Sequence, residues 1–122
     1  LAAVASQPAM PFFKQGALHM SAEDVTDVRN ALDEKGAMHL LRFEDDPLCT
    51  PEKSECIQKA FNDDGAIRID EITLPGKGHS VLTLDFVDEE GHPTHEALAS
   101  VLHYFRKLFS SDVDNGDVSE GP

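Results

Sequence analysis

The chain has 122 residues, and its 10 Lys and Arg against 23 Asp and Glu give a formal net charge of −13 at pH 7. This length is typical of one domain. An acidic surface repels the phosphates of nucleic acid and the headgroups of anionic lipids, so neither is an expected partner. The apolar runs are far shorter than the ~18 residues of a transmembrane helix, so no membrane insertion is expected.

The N-terminal segment differs in composition from the rest of the chain. Residues 1–20 contain one Lys, no acidic residue and two prolines, and they show no sustained hydrophobic period. They also lack the basic segment and the long apolar stretch of an intact signal peptide. We therefore expect a flexible arm at 1–20, a folded domain at 21–119 and a short tail at 120–122.

The first predicted elements are a helix and a strand. The stretch from Ser21 to Asp24 fits a capping box, and apolar residues then follow at helical spacing. Gly36 can end this helix in a left-handed conformation, which predicts a helix over 22–34. The segment Met38–Phe43, with the sequence Met-His-Leu-Leu-Arg-Phe, comes next and predicts a short strand.

Two further helices are predicted by different signals. Thr50 is a favourable N-cap, and Pro51 is favourable at the first helical position, so a helix begins there and ends at the turn-forming residues 62–65. The third helix has the clearest amphipathic pattern. Its apolar residues from Leu98 to Phe109 recur at i, i+3, i+4, i+7, i+10 and i+11.

Two alternating segments predict a hairpin. Residues 67–74 and 82–86 alternate with period two on either side of the turn signal at 75–78, so they should pair as antiparallel strands. From residue 37 the order is then β-α-β-β-α-β, with the last strand after Phe109. This order predicts an α+β, ferredoxin-like fold. Its four-stranded antiparallel sheet would carry two helices on one face, with an extra N-terminal helix.

The two cysteines, Cys49 and Cys56, allow two interpretations. Their spacing could bring the Cα atoms within disulfide range, which is typical of a secreted protein. Alternatively, they are unrelated thiols in a cytosolic protein. The spacing is not C-x-x-C, so neither a redox motif nor a zinc knuckle is indicated. We predict the disulfide.

No motif predicts catalysis. The sequence contains no G-x-S-x-G elbow, P-loop or dinucleotide-binding fingerprint. His95 and His103 lie about 80° apart around the third helix, so they cannot share one metal ion unless another element contributes. Adjacent carboxylates in turns are usually solvated. We therefore predict no enzyme activity, no cofactor and no metal. The adjacent carboxylate pairs are Asp45/Asp46, Asp63/Asp64 and Glu89/Glu90.

The element order and several segments resemble the prodomain of subtilisin-like serine proteases. The resemblance covers about residues 37–121. The matching segments are the strand and acidic turn His39–Asp46, the Gly-led strand Gly65–Ile69, the strand Val81–Phe86, the helix Ala97–Leu108 and the closing segment Asp112–Glu120.

This resemblance implies a binding module that inhibits or regulates a subtilisin-like protease in trans. A free-standing prodomain is similar to the secreted prodomain mimics of apicomplexan micronemes, which implies a secreted protein or one of a secretory organelle, here expected as a monomer. Prodomain carboxylates cap helix N-termini of the protease, and the tail approaches its active-site cleft. The implied protease-binding residues are Thr83 and Asp85 on the exposed sheet face, and Asp117, Val118, Ser119, Glu120 and Gly121 at the C-terminal end.

A second resemblance is to parvulin-type prolyl isomerases. The segment 37–43 looks like their opening strand and 78–84 like their closing strand, with His39 and His79 as the paired histidines. Only 39 residues separate the two histidines. The central part of a parvulin does not fit in that gap. A divergent prolyl isomerase is therefore the alternative function.

Overall fold

The computed structural model describes residues 3–6 and 16–116, and for 111–116 it describes the backbone alone. Within these ranges the chain forms three strands and three helices in an alternating order. The elements are β1 (Val4–Ala5), α1 (Ala22–Lys35), β2 (Met38–Phe43), α2 (Pro51–Phe61), β3 (Ile69–Leu74) and α3 (Pro93–Gly116).

The sheet is parallel, so the predicted ferredoxin-like antiparallel sheet is wrong. The strand order is β1-β2-β3, and β2 runs parallel to both neighbours. Met38 lies opposite Ile69, and Phe43 lies opposite Leu74. The physical reason is the connection, because α2 carries the chain back to the end of the sheet where β2 began.

The predicted hairpin is also wrong. Residues 81–85 form a turn in which the Thr83 amide donates to the Ser80 carbonyl and the Phe86 amide donates to the Thr83 carbonyl. Leu84, which should have faced the core, is 92% exposed. Residues 110–116, where the predicted last strand would begin, belong to α3, and residues 117–122 lie outside the described ranges.

The predicted starts of the first two helices are confirmed. The Ser21 hydroxyl accepts a hydrogen bond from the Asp24 amide at 3.0 Å, and Gly36 ends α1 with a φ of 103°. Thr50 caps α2 with its side chain, and Pro51 is the first helical residue. Short-range capping chemistry is therefore sufficient to locate these termini.

Helices cover both faces of the sheet, with α1 and α2 on one face and α3 on the other, which corrects the prediction that the second and third helices share one face. Parallel sheets need cover on both sides, and four consecutive buried residues of β2, 40–43, fit that environment. Neighbouring residues of β2 thus enter different clusters. One cluster contains Leu41, Phe43, Leu74, Val81 and the α3 residues Ala97 and Val101; the other contains Leu32 of α1, Leu40, Phe61 of α2 and Ile69.

An arginine network joins α1 to the segment between α2 and β3. The Arg68 guanidinium binds Asp33 of α1 at 2.7 Å and binds both carboxylate oxygens of Asp64, at 2.8 and 2.9 Å. The Arg68 guanidinium holds the pKa of Asp64 well below its usual range. Arg29 of α1 also binds Asp63 and Asp64. These two carboxylates are therefore paired rather than simply solvated.

No helix within the described ranges is both long enough and apolar enough to cross a membrane.

Replacing Leu41 by Ala should destabilise the fold strongly, because this fully buried side chain fills the core between the sheet and α3. The expected loss is about 2–5 kcal/mol of unfolding free energy, measured by urea denaturation. Leu84→Ala is the matched control, and it should change the free energy by less than about 0.5 kcal/mol. A large loss for Leu84→Ala would support the strand at 82–86 instead.

Asp64→Asn should lower stability at neutral pH and lose its effect in acid. The pKa of Asp64 is depressed in the folded state, so its contribution is complete above the unfolded value of about 3.9 and disappears as the pH falls through the folded value. Urea midpoints of the native chain and the variant should therefore differ at pH 7 and begin to converge only below about pH 4. Asp27→Asn on α1 is the control. An equal difference at every pH would contradict the ion pair.

Candidate functional site

The candidate site lies where the carboxyl ends of β2 and β3 meet. Backbone pairing continues past the strands, because the Glu44 amide donates to the Leu74 carbonyl at 2.8 Å and the Asp45 amide donates to the Gly76 carbonyl at 3.1 Å. The loops at 44–50 and 75–80 therefore lie side by side. In open parallel sheets this end of the strands is the usual place for binding and catalytic residues.

Asp46 is a buried carboxylate, and both of its oxygens accept hydrogen bonds. Its side chain has no exposed surface. Oδ1 accepts hydrogen bonds from the amides of Leu48 and Cys49 at 2.8 and 3.1 Å, which closes a tight turn before α2. Oδ2 lies 2.8 Å from Nδ1 of His79. A buried carboxylate is costly unless it is bonded in this way.

Two buried cations support the loop that carries Asp46. Arg42 Nε donates to the Cys49 carbonyl at 3.1 Å, and its guanidinium also donates to the Glu44 carbonyl at 3.2 Å. Lys53 Nζ donates to the Leu48 carbonyl at 2.8 Å. These contacts fix both ends of the loop.

His79 is oriented by Asp46 and remains accessible. A carboxylate can only accept hydrogen bonds, so Nδ1 carries the hydrogen in this pair. Nε2 is then the nitrogen that can take up and release a proton. The side chain is 19% exposed, so it lies partly open to solvent while Asp46 is completely covered. This is the arrangement of a general base with its orienting acid.

The backbone around His79 is held by Asp85 and shaped by Gly78. Asp85 Oδ2 accepts the amides of His79 and Ser80 at 2.9 and 2.8 Å, and these two hydrogen bonds lower the pKa of the Asp85 carboxyl. A Cβ atom on Gly78 would lie 2.8 Å from Cε2 of Phe43 and 3.1 Å from Asp85 Oδ2. Glycine is therefore required for this close approach.

The predicted protease-binding residues fall in two groups. Thr83 and Asp85 lie in the turn at 81–85, not on a sheet face, and the Asp85 carboxylate is directed at the His79 loop. The remaining residues, Asp117, Val118, Ser119, Glu120 and Gly121, lie outside the described residues.

The predicted disulfide is not present, because both thiols are free. Cys49 is fully buried in the loop before the N-cap Thr50, and burial raises the pKa of its thiol. Cys56 lies in the second turn of α2 and lines a shallow groove with Glu52 and Lys59. The two side chains therefore face different environments. With its raised pKa, the Cys49 thiol is also a poor nucleophile.

His39 and His79 do not form the pair expected of a parvulin. His39 lies near the start of β2, where it faces Asp70 in the register and packs against the Tyr104 ring with centroids 4.0 Å apart. His79 lies beyond the opposite end of the strands. His39 instead lines a cleft of about 600 Å³ beside α3. The nearest approach of its Nε2 to the Asp70 carboxylate is 3.8 Å, too long for a hydrogen bond.

Sequence reasoning missed the Asp46–His79 pair. In the sequence, Asp46 is one of two adjacent acids in a turn, which predicts solvation, and His79 resembles only the parvulin partner of His39. A signal was present, since an acid follows one strand and a Gly-His dipeptide follows the next, with a helix between the two strands. Parallel pairing turns that order into spatial proximity.

Comparisons with known proteins add no relative. Neither a protein-family model, nor a curated protein, nor a solved structure matches the chain. The function must therefore be argued from the geometry of the site.

Asp46→Ala should change the tautomer of His79. In the native chain the neutral imidazole should carry its hydrogen on Nδ1, as the hydrogen bond to Asp46 requires. Without the carboxylate the hydrogen should move largely to Nε2. Two-bond ¹H–¹⁵N correlation spectra of the imidazole distinguish the two forms. Asp45→Ala, at the exposed neighbour, should leave the native tautomer in place. A native chain with its hydrogen on Nε2 would contradict the pair.

Proposed function

We propose that this chain supplies the acid–base pair of a hydrolase that acts on carboxylic esters or amides. The observation that supports the proposal is the 2.8 Å contact between Asp46 Oδ2 and His79 Nδ1, with the acid buried and the imidazole accessible. A buried carboxylate that orients a partly exposed histidine is typical of nucleophile–His–Asp sites.

In the proposed reaction His79 moves one proton in each half of the cycle. Nε2 takes the proton from a hydroxyl nucleophile as the oxygen attacks the substrate carbonyl, and then gives this proton to the leaving alcohol or amine. Water repeats the same steps and releases the acid product. Asp46 stays ionised, keeps the ring in the productive tautomer and stabilises the imidazolium that forms.

The topology supports this assignment independently of the distance. Asp46 follows β2 and His79 follows β3, and helices cover both faces of the parallel sheet. In α/β-hydrolases the acid precedes the histidine along the chain, and both follow strands of such a sheet. The order of the two residues and their placement at the carboxyl ends of the strands agree with that pattern.

We propose a hydroxyl rather than a thiol as the nucleophile. The thiol nearest to the pair within the described residues is that of Cys49, and its pKa is raised by burial. In the α/β-hydrolase arrangement the nucleophile precedes the acid and stands at the same end of a parallel sheet. A parallel strand added at an edge of this sheet would end on the side of Asp46 and His79.

Regulation of a subtilisin-like protease remains a prediction based on the sequence resemblance alone. Its docking surface was expected on an antiparallel sheet, and the described residues form a parallel one. Its tail residues lie outside the described ranges. The Asp46–His79 pair is a specific observation that favours hydrolysis over this alternative.

Hydrolysis of p-nitrophenyl acetate tests the proposal with the chain alone, because a histidine base can activate water towards this reactive ester. His79→Ala should reduce the chain-dependent rate by about 10²-fold or more, the usual contribution of a general base. Asp46→Ala should reduce it by at least about tenfold, since the ring loses its orientation.

The control for this assay is another histidine. His103 is exposed on α3, and His103→Ala should keep the native rate. This control separates the proposed base from the general reactivity of imidazoles with activated esters. A native rate of p-nitrophenyl acetate hydrolysis in His79→Ala would contradict the proposed hydrolase function.

A further inference from the structure

We infer that Asp85 is a positioning residue that holds the backbone of His79 so that its imidazole reaches Asp46. This inference rests on the proposed function, because it assigns Asp85 a role in the same acid–base site. The role differs from that of Asp46, since Asp85 acts on the main chain and Asp46 acts on the ring.

The hydrogen bonds of Asp85 are the first support. A single oxygen, Oδ2, accepts the consecutive amides of His79 and Ser80 at 2.9 and 2.8 Å. The Asp85 amide in turn donates to the Ser80 carbonyl at 3.1 Å. Three hydrogen bonds therefore close the segment 79–85 on itself and fix the peptide units on both sides of the His79 Cα atom.

The position of His79 is then determined from two sides. Its amide is bonded to Asp85, and its ring nitrogen is bonded to Asp46. Before His79 the chain passes through Gly76, which has a φ of 100°, and Gly78, so this part of the loop has high intrinsic freedom. A loop with two glycines needs such anchors if a side chain at its end is to keep one orientation.

The packing around Gly78 is the second support. A Cβ atom at this position would lie 3.1 Å from Asp85 Oδ2 and 2.8 Å from the Phe43 ring. The glycine thus lets the Asp85 carboxylate approach the loop from one side while Phe43, at the end of β2, closes the other. The buried residues Ser80 and Val81 follow directly and fix the loop to the core.

Substitutions at Asp85 test this role with two readouts, the rate of p-nitrophenyl acetate hydrolysis and the low-field ¹H resonance of the His79 Nδ1–H. Asp85→Ala should lower the rate by about 10–100-fold, because a small displacement of a catalytic group has effects of this size. It should also broaden or abolish the resonance, since the hydrogen bond to Asp46 becomes transient. A purely structural role would lower the unfolding midpoint and leave both readouts intact.

Two control variants make the test specific. Asp85→Asn keeps an oxygen that can accept both amides, so its rate should stay within a few-fold of the native rate and its resonance should persist. Glu89→Ala removes an exposed acid from the following loop and should change neither readout. If Asp85→Ala fails to fold, the hydrogen-exchange rates of backbone amides in the native chain test the positioning role instead. The His79 and Ser80 amides should then exchange at least about tenfold more slowly than the Lys77 amide.

The outcomes separate the two proposals. A native rate and a native resonance in Asp85→Ala would overturn the positioning role, and the loss of activity in His79→Ala would still support the hydrolase. Loss of the resonance in Asp85→Ala with full activity in His79→Ala would support the positioning role and overturn the proposed function. Equal exchange rates for His79, Ser80 and Lys77 would also overturn the positioning role.

Discussion

Parallel pairing of β2 with β3 is the constraint on which the rest of this molecule depends. It places the carboxyl ends of both strands at the same end of the sheet, so the loops that follow them become neighbours. Without it, Asp46 and His79 would be two loop residues 33 positions apart, with no reason to meet. The crossover through α2 imposes the parallel direction, and the two apolar clusters on opposite faces stabilise it.

The site shows how a small parallel sheet can hold a costly buried charge. Asp46 is covered completely, and each of its oxygens has a hydrogen-bond donor. Arg42 and Lys53 bind carbonyls of the same loop, so this loop is fixed on both sides. By contrast, the His79 loop contains glycines and depends on Asp85 for its shape. The acid is thus built into the core, while the base stands at the rim.

The sequence predicted the local features better than the direction of the sheet. Capping residues located the starts of α1 and α2, because N-cap hydrogen bonds depend on neighbours three residues away. The strand at 38–43 was correct for the same local reason. Strand direction is a long-range property that local signals do not determine. The alternation of apolar and polar residues at 82–86 therefore predicted, wrongly, the second strand of a hairpin. The carboxylate of Asp85 instead closes this segment into a turn, which no periodicity of apolar residues reveals.

The candidate site was also predictable only in its local features. Asp46 and His79 were visible as residues, but their pairing depended on the sheet being parallel. The clearest test of that pairing is a NOESY spectrum of the native chain. The parallel register predicts amide and Hα contacts between facing residues such as Leu41 and Ile72, without strong Hα–Hα cross-peaks between β2 and β3. Strong Hα–Hα cross-peaks between 38–43 and 69–74, or between 69–74 and 82–86, would contradict the account.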